Sequence, residues 1–280
     1  MIIAVLVIVG LCLGSFVNAL VWRLHEQTAE SAKKQPDKHY LKRLSVAKGR
    51  SICPDCKHEL ATRDLVPVLS WLSLKGKCRY CGRPISMQYP LVELSMAGLF
   101  VASYLWWPLS IHGAQTAIFI LWLALLTGLL ALLVYDLRWQ LLPNRLVYPL
   151  TVVAMAIAVI TVAAAARPAI ALLDVILAVI IGGGVFYVLF QVSGGKWIGG
   201  GDVRLGGLLG LVAATPARSF LFIFLGALGG SLVSVPFLAS GRLKRTSVIP
   251  FGPFLIAGII IVQLFGTDIL NWYRQTFINF

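Results

Sequence analysis

Acidic side chains are scarce: Asp and Glu together number 11 in 280 residues, and all charged types make up 12% against 59% hydrophobic. A soluble domain averages about 25% charged and about 45–50% apolar residues. Even a roughly 300-residue globule leaves about a quarter of its unfolded surface in water, so this composition excludes a water-soluble globule. Several catalytic signatures are also missing. There is no Gly-x-Ser-x-Gly elbow and no His-Glu-x-x-His pair, and His25, His39, His58 and His112 all lie in polar segments. Serine-hydrolase and zincin chemistry therefore lack their residues.

What the chain does have is apolar runs. A bilayer crossing takes about 20 apolar residues, within a range of about 17–25. Met1–Trp22, Tyr89–Trp107, Ala114–Tyr135, Leu146–Ala166, Pro168–Val192 and Phe220–Leu238 fit, with shorter runs at Leu205–Ala214 and Pro250–Phe265. The expectation is an all-α polytopic membrane protein of about eight helices. The first run has no basic residues ahead of it, so it reads as a retained anchor rather than a cleaved signal peptide. Between it and the second run lies one polar segment. The expected domains are a first transmembrane helix (residues 1–22), a polar loop domain (23–88) and a seven-helix membrane domain (89–280).

The net charge of +13 suggests either a polyanion or membrane topology. Fourteen of the 24 Lys and Arg residues fall in 23–88, and seven more (Arg138, Arg145, Lys196, Arg204, Arg242, Lys244, Arg245) lie on the same side if the N-terminus is outside. Only Arg167, Arg218 and Arg274 remain opposite. If Leu205–Ala214 did not cross, the division would become 20 and four, which barely discriminates; the crossing is preferred because it places the Arg242–Arg245 cluster inside. An excess of Lys and Arg marks cytoplasmic loops, so the loop domain is expected in the cytoplasm and nucleic acid is not expected as a partner.

Within the loop stand Cys53-Pro-Asp-Cys56 and Cys78-Arg-Tyr-Cys81, separated by 21 residues. Two such pairs suit one tetrahedral zinc ion held by four thiolates. Two local disulfides or a redox pair are the alternative, disfavoured in a reducing compartment. A loop with little apolar content would draw folding energy from the metal. The fifth cysteine, Cys12, is expected to pack as a small hydrophobe.

Five acids lie outside the loop: Glu93, Asp136, Asp174, Asp202 and Asp268. A carboxylate in a membrane helix costs about 2.5–3.5 kcal/mol on insertion scales, so it usually faces protein or a water-filled cavity and marks function. Asp268 reads as interfacial, Asp174 as a helix-end or polar-core residue, and Glu93 is ambiguous. Asp136 and Asp202 both fall at the cytoplasmic ends of apolar runs. Asp202 follows Gly199, Gly200 and Gly201, where an extended substrate backbone has room to lie. Capping of a helix is the alternative for each. If the two carboxylates meet in a partly dry site they share one proton, the arrangement of aspartic proteases. An ion-coupled transporter using intramembrane acids is a rival reading, but it calls for an internal repeat and midplane acid pairs, neither of which is seen. A non-catalytic assembly factor is another; it would tolerate loss of both Asp residues.

The chain resembles the bacterial type IV prepilin peptidases, the leader peptidase and N-methyltransferase enzymes. The marks are Gly14-Ser15-Phe16-Val17-Asn18, Arg23-Leu24, the two cysteine pairs, Pro67-Val68-Leu69-Ser70-Trp71-Leu72 and Tyr89-Pro90-Leu91-Val92-Glu93-Leu94. Asp136 with Leu142-Pro143, Gly199-Gly200-Gly201-Asp202-Val203-Arg204-Leu205 and Pro250-Phe251-Gly252-Pro253-Phe254 complete the set. The resemblance implies a GxGD aspartyl protease of the bacterial inner membrane with Asp136 and Asp202 as catalytic pair. It implies prepilin or pseudopilin substrates, cut after Gly behind a short basic leader. It also implies methylation of the new N-terminus with S-adenosylmethionine. No Gly-rich nucleotide fingerprint is visible, so Glu93 and Tyr89 are named as candidates for that cofactor from their place beside the loop domain. A peptidase without methyltransferase activity is the alternative. Asn144 stands where the family usually has Asp, Gly200 replaces a large apolar residue, and Arg204 replaces a Lys. Because leader and enzyme face are both basic, recognition is expected from lateral helix packing in the bilayer rather than long-range attraction.

Overall fold

The computed structural model describes residues 1–46, 49–241 and 249–277, all helical or irregular, with two isolated β-bridges and no strand among them. The cluster Arg242, Lys244 and Arg245 lies outside the described residues. Two compact units divide the chain, Met1–Leu105 and Trp106–Phe280.

In the first unit, α1 (Ile2–Ser31) runs 30 residues without a break. At a rise of 1.5 Å per residue that is about 45 Å, more than the roughly 30 Å hydrocarbon core. Its polar end therefore leaves the apolar layer and becomes the spine of the loop domain. The buried Arg23 donates to the carbonyls of Ser45 and Gly49 at 3.0 Å each and of Val46 at 3.3 Å, and Gln27 donates to Leu44 at 2.8 Å. Such carbonyls would otherwise be unpaired away from water. Asp37 caps α2 (Lys38–Arg43), accepting from the N–H groups of His39 and Tyr40. A 3-10 turn (Thr62–Leu65) and the short α3 (Leu69–Ser73) lead to α4 (Gln88–Leu105). Helices α1 and α4 cross closely through small residues: a Cβ on Gly10 would lie 2.6 Å from Ala97 Cα, and one on Gly14 would lie 2.6 Å from Glu93 Cα. Cys12, expected to be packed, is instead exposed on α1, because the α4 contact uses the Gly10–Gly14 side of the helix.

The second unit contains α5 (Ala114–Trp139), α6 (Asn144–Ala163), α7 (Pro168–Ser193), α8 (Gly200–Ala213), α9 (Pro216–Ala239) and α10 (Gly252–Phe277). Prolines open α7 and α9 at their first helical positions, where no N–H is needed. The short α8 forms the core: Leu205, Leu208, Leu209 and Ala213 are at most 1% exposed. It seats against α7 through glycines. A Cβ on Gly206 would lie 2.3 Å from the carbonyl oxygen of Gly182, and one on Gly210 would lie 2.6 Å from that of Ala178. This is the small-residue packing by which helices associate in lipid. Ser219 of α9 adds a buried hydrogen bond to the Ala178 carbonyl, 2.9 Å.

Six described helices, α1, α5, α6, α7, α9 and α10, are long and apolar enough to cross a bilayer. The expected count of eight is not confirmed. α8 has 14 residues, and α4 has 18 but opens on Gln88, Tyr89 and Pro90 and carries Glu93. α8 is shielded by neighbouring helices, the setting that a short, glycine-rich segment requires at membrane depth.

Candidate active site and metal-binding loop

In the second unit, three helix ends converge on Asp136. It lies in the last turn of α5, buried at 5% exposure. Gln140 then takes a left-handed conformation and returns its N–H to the Asp136 carbonyl at 2.8 Å. Pro143 directs the chain into α6. The Asp136 carboxylate accepts the backbone N–H of Gly252, the first residue of α10, and lies close enough to Asp202 for the two charges to interact. A Cβ on Gly252 would stand 2.6 Å from Oδ2 of Asp136, so only glycine permits this approach.

Asp202 stands in the first turn of α8. Its N–H donates to the Gly199 carbonyl at 3.1 Å, and its carboxylate accepts the Gly199 N–H. Both readings of this residue thus coexist: it caps α8, and it stands near the second carboxylate. The glycines divide in role. Gly199 is the extended cap residue, and Gly201 lies against Leu142, where a Cβ would come within 3.2 Å of the Leu142 Cβ. Arg204 donates to Oδ1 of Asn144, tying α8 to the start of α6. Neither the Gly252 donor nor the Arg204–Asn144 bond follows from the sequence pattern. The signal for Gly252 was its place between Pro250 and Pro253, a short segment rich in residues with restricted or unusual backbone geometry.

Two neighbouring carboxylates, each held by a backbone N–H, can take a proton from water and give one to an oxygen. Asp174, in α7, is half-buried, and Asp268, in α10, is exposed.

In the first unit, Cys53, Cys56, Cys78 and Cys81 bring their sulfurs within 4.8 Å of one another, and Cys53 and Cys81 are 4.0 Å apart. Four thiolates at the zinc–sulfur distance of about 2.3 Å would stand about 3.8 Å apart, so the residues fit the ion. Each pair forms the same knuckle. The N–H of Cys53 bonds the His58 carbonyl and that of Lys57 bonds the Cys53 carbonyl; Cys78 with Arg83, and Gly82 with Cys78, repeat the pattern. The residue after each second cysteine is left-handed, Lys57 at φ 58° and Gly82 at φ 70°. Burial pushes the Cys53 thiol up. At Cys78 burial also opposes ionisation, but N–H groups of Cys81 and Tyr80 outweigh it and hold the thiol low. The knuckles are joined by Arg83 to Asp55 at 3.1 Å and by the stacked rings of His58 and Tyr80, 3.8 Å apart.

Glu93 and Tyr89 lie at the junction of this loop with α4. The buried Glu93 carboxylate accepts the Val68 N–H at 2.7 Å and the Ser15 hydroxyl. The Tyr89 carbonyl accepts from Asn18 at 3.0 Å.

Comparison with known proteins gives two family matches: the Bacterial Peptidase A24 N-terminal domain over residues 8–107 and the Type IV leader peptidase family over residues 123–235. The chain is 31% identical to the prepilin leader peptidase/N-methyltransferase of Bacillus subtilis, with 97% of each chain covered. It is 35% identical to the type 4 prepilin-like proteins leader peptide-processing enzyme of Escherichia coli O78:H11, covering 91% of each. It is 30% identical to the Pseudomonas aeruginosa prepilin leader peptidase/N-methyltransferase, covering 96% of this chain and 92% of that one. No solved structure matches. With near-complete coverage by curated relatives and both family domains in order, this multi-pass membrane chain belongs to the type IV leader peptidase family of enzymes.

Proposed function

We propose that the protein is the prepilin peptidase its relatives' names describe, an intramembrane aspartyl endopeptidase that removes the basic leader of type IV prepilins or pseudopilins after Gly. The observation that carries this reading is the meeting of Asp136, Asp202 and the Gly252 N–H at three helix ends. One carboxylate, ionised, takes a proton from water as the water oxygen bonds to the scissile carbonyl carbon. The other, protonated, gives its proton to the carbonyl oxygen. Collapse of the tetrahedral intermediate breaks the C–N bond; the leaving amine takes a proton from the first carboxyl, and a hydroxyl of the intermediate returns its proton to the second. Of the three glycines, Gly200 leaves the most room for an extended substrate backbone, between the cap residue Gly199 and Gly201 packed on Leu142.

In this reading the N-terminus is outside, residues 23–88 form a cytoplasmic domain, and residues 89–280 form the protease domain. The four cysteines hold a structural zinc ion, which supplies folding energy to the loop when bound. The relatives' names support methylation of the new N-terminus with S-adenosylmethionine. Both hydrogen bonds at the Glu93 carboxylate are made to the chain's own groups, which supports a positional role for it rather than direct contact with the methyl donor.

The protein in lipid vesicles, given a prepilin with and without S-adenosylmethionine, is expected to yield mature pilin in both cases and N-methylated pilin only with the donor, by mass spectrometry. Uncleaved prepilin under both conditions sinks the assignment, and mature pilin that never gains a methyl group leaves a peptidase alone.

Gly252→Ala offers a sharper test of the site. Its Cβ has no room beside Oδ2 of Asp136, so the carboxylate or the start of α10 must move. A misplacement of about 1 Å costs on the order of 10²-fold in rate. The expected result is a loss of that order in kcat, with helix content unchanged. Wild-type kcat in Gly252→Ala would separate this contact from catalysis.

A further inference from the structure

Between the two cysteine knuckles the chain makes an excursion that the metal site does not require. Leu65, Val66, Leu69 and Leu72 are 38%, 43%, 64% and 57% exposed, an apolar patch on an otherwise polar loop. Val68, a β-branched residue, sits at φ 61°, a conformation that such residues avoid unless the surroundings enforce it. Here they do. The Val68 N–H is held by the buried Glu93 carboxylate at 2.7 Å, and Trp71 donates to the Ile85 carbonyl at 3.1 Å. The N–H groups of Leu69, Ser70 and Leu72 bond carbonyls within the turn, and Pro67 has no N–H.

The depth of this turn follows from its partner. Glu93 stands against Gly14 and accepts from Ser15. Ser15 precedes Arg23, the first charge of α1, by eight residues, about 12 Å of helix. The polar contacts of Asn18 with the Tyr89 carbonyl and with Gln88 lie about one turn nearer that charge. The turn is therefore pinned below this polar level, alongside the apolar run of α1. Phe16, next in sequence to Ser15, and Leu91 and Leu94, beside Glu93 on α4, are exposed as well. Exposed Arg63, Lys75 and Lys77 flank it, the charge that suits anionic headgroups. Lipid-exposed irregular backbone does not occur in the hydrocarbon core, so the turn belongs at the headgroup–acyl boundary, and Glu93 supplies the acceptor for the Val68 N–H that the turn itself lacks.

We propose that residues 65–72 form a hook seated at the headgroup–acyl boundary of the bilayer, tied to α4 by Glu93, which sets the depth of the metal-binding domain against the membrane. Its partner is the lipid bilayer, and Glu93 is a positioning residue. The proposal stands on the first unit alone and does not depend on the assignment of the catalytic pair.

The test places the photocrosslinker p-benzoylphenylalanine at Leu69 or Leu72 of the full-length protein in phosphatidylethanolamine–phosphatidylglycerol vesicles, with Leu91 and Glu59 as lipid-facing and polar references. Lipid adducts at Leu69 and Leu72 are expected to match those at Leu91, with none above background at Glu59. With the probe at Leu69, Glu93→Leu is expected to lose the adducts while keeping its metal, and Glu93→Gln, which retains an acceptor, is expected to keep both. Adducts at the Glu59 level in the otherwise unaltered protein overturn the proposal. So do adducts that pass from lipid to prepilin when substrate is added, because the patch is then a docking site for the substrate helix.

Discussion

Asp136→Asn and Asp202→Asn are each expected to abolish prepilin cleavage. General acid–base catalysis contributes about 10²–10⁴-fold per positioned group, and a dyad that shares one proton loses both functions when either member can no longer ionise. Asparagine is the informative replacement because the scaffold survives it. At position 136 the amide oxygen still accepts the Gly252 N–H, and at position 202 it still accepts the Gly199 N–H that closes the first turn of α8. Helix content and thermal unfolding should therefore match the parent protein while turnover disappears. If Asp202 served only the helix end, Asp202→Asn would retain near-wild-type cleavage, since an amide oxygen accepts the same Gly199 N–H. Retained cleavage in both variants removes the catalytic assignment.

Which parts of this site could be read from the sequence depends on whether the determining contact is local. The cysteine knuckles were legible because a two-residue gap fixes the sulfur separation within one turn. Asp136 and Asp202 were legible because charge is rare in apolar runs, so each stood out against its own segment. Gly252 was not assigned a role, since its importance lies in an approach to a carboxylate on a distant helix, and no local pattern encodes which helix end it will meet. The glycine run was read as open space for substrate. In the structure Gly201 is used for packing on Leu142 and Gly199 for capping, tertiary and terminal roles that a run of identical residues does not announce. The end of α1 was placed at Trp22 by hydropathy, whereas the helix continues to Ser31. Residues 23–30 contain no breaker, and the loss of apolar character changes the solvent around a helix without ending it. Glu93 is ambiguous in sequence for a related reason: its partners, Val68 and Ser15, come from two separate earlier segments that only the fold brings to it.

The largest expected effect on stability comes from the metal knuckles. Cys53→Ser with Cys56→Ser removes two of four ligands, and the loop has little else to hold it. From Lys33 to Ser86, among the described residues, its buried side chains are few: Leu44, Ile52, Cys53, Cys78 and the Asp64 carboxylate bonded to Arg79 and Tyr80. The links between the two knuckles are exposed ion pairs such as Arg83 with Asp55, each worth no more than about 1 kcal/mol. Structural zinc contributes about 10–16 kcal/mol of apparent binding free energy in small peptides near neutral pH, far beyond what such contacts replace. The double variant should lose about one equivalent of metal per chain and become open to proteolysis between α1 and α4. The helices of the second unit bury their own core around α8, so they should stay protected in lipid. The hook should lose its lipid adducts in the same variant, because Trp71 and Val68 are positioned by the chain that the metal closes. Metal analysis that finds no ion in the parent protein removes the zinc assignment, and a loop that resists protease without its cysteines shows that the fold of residues 33–86 rests on contacts other than the metal.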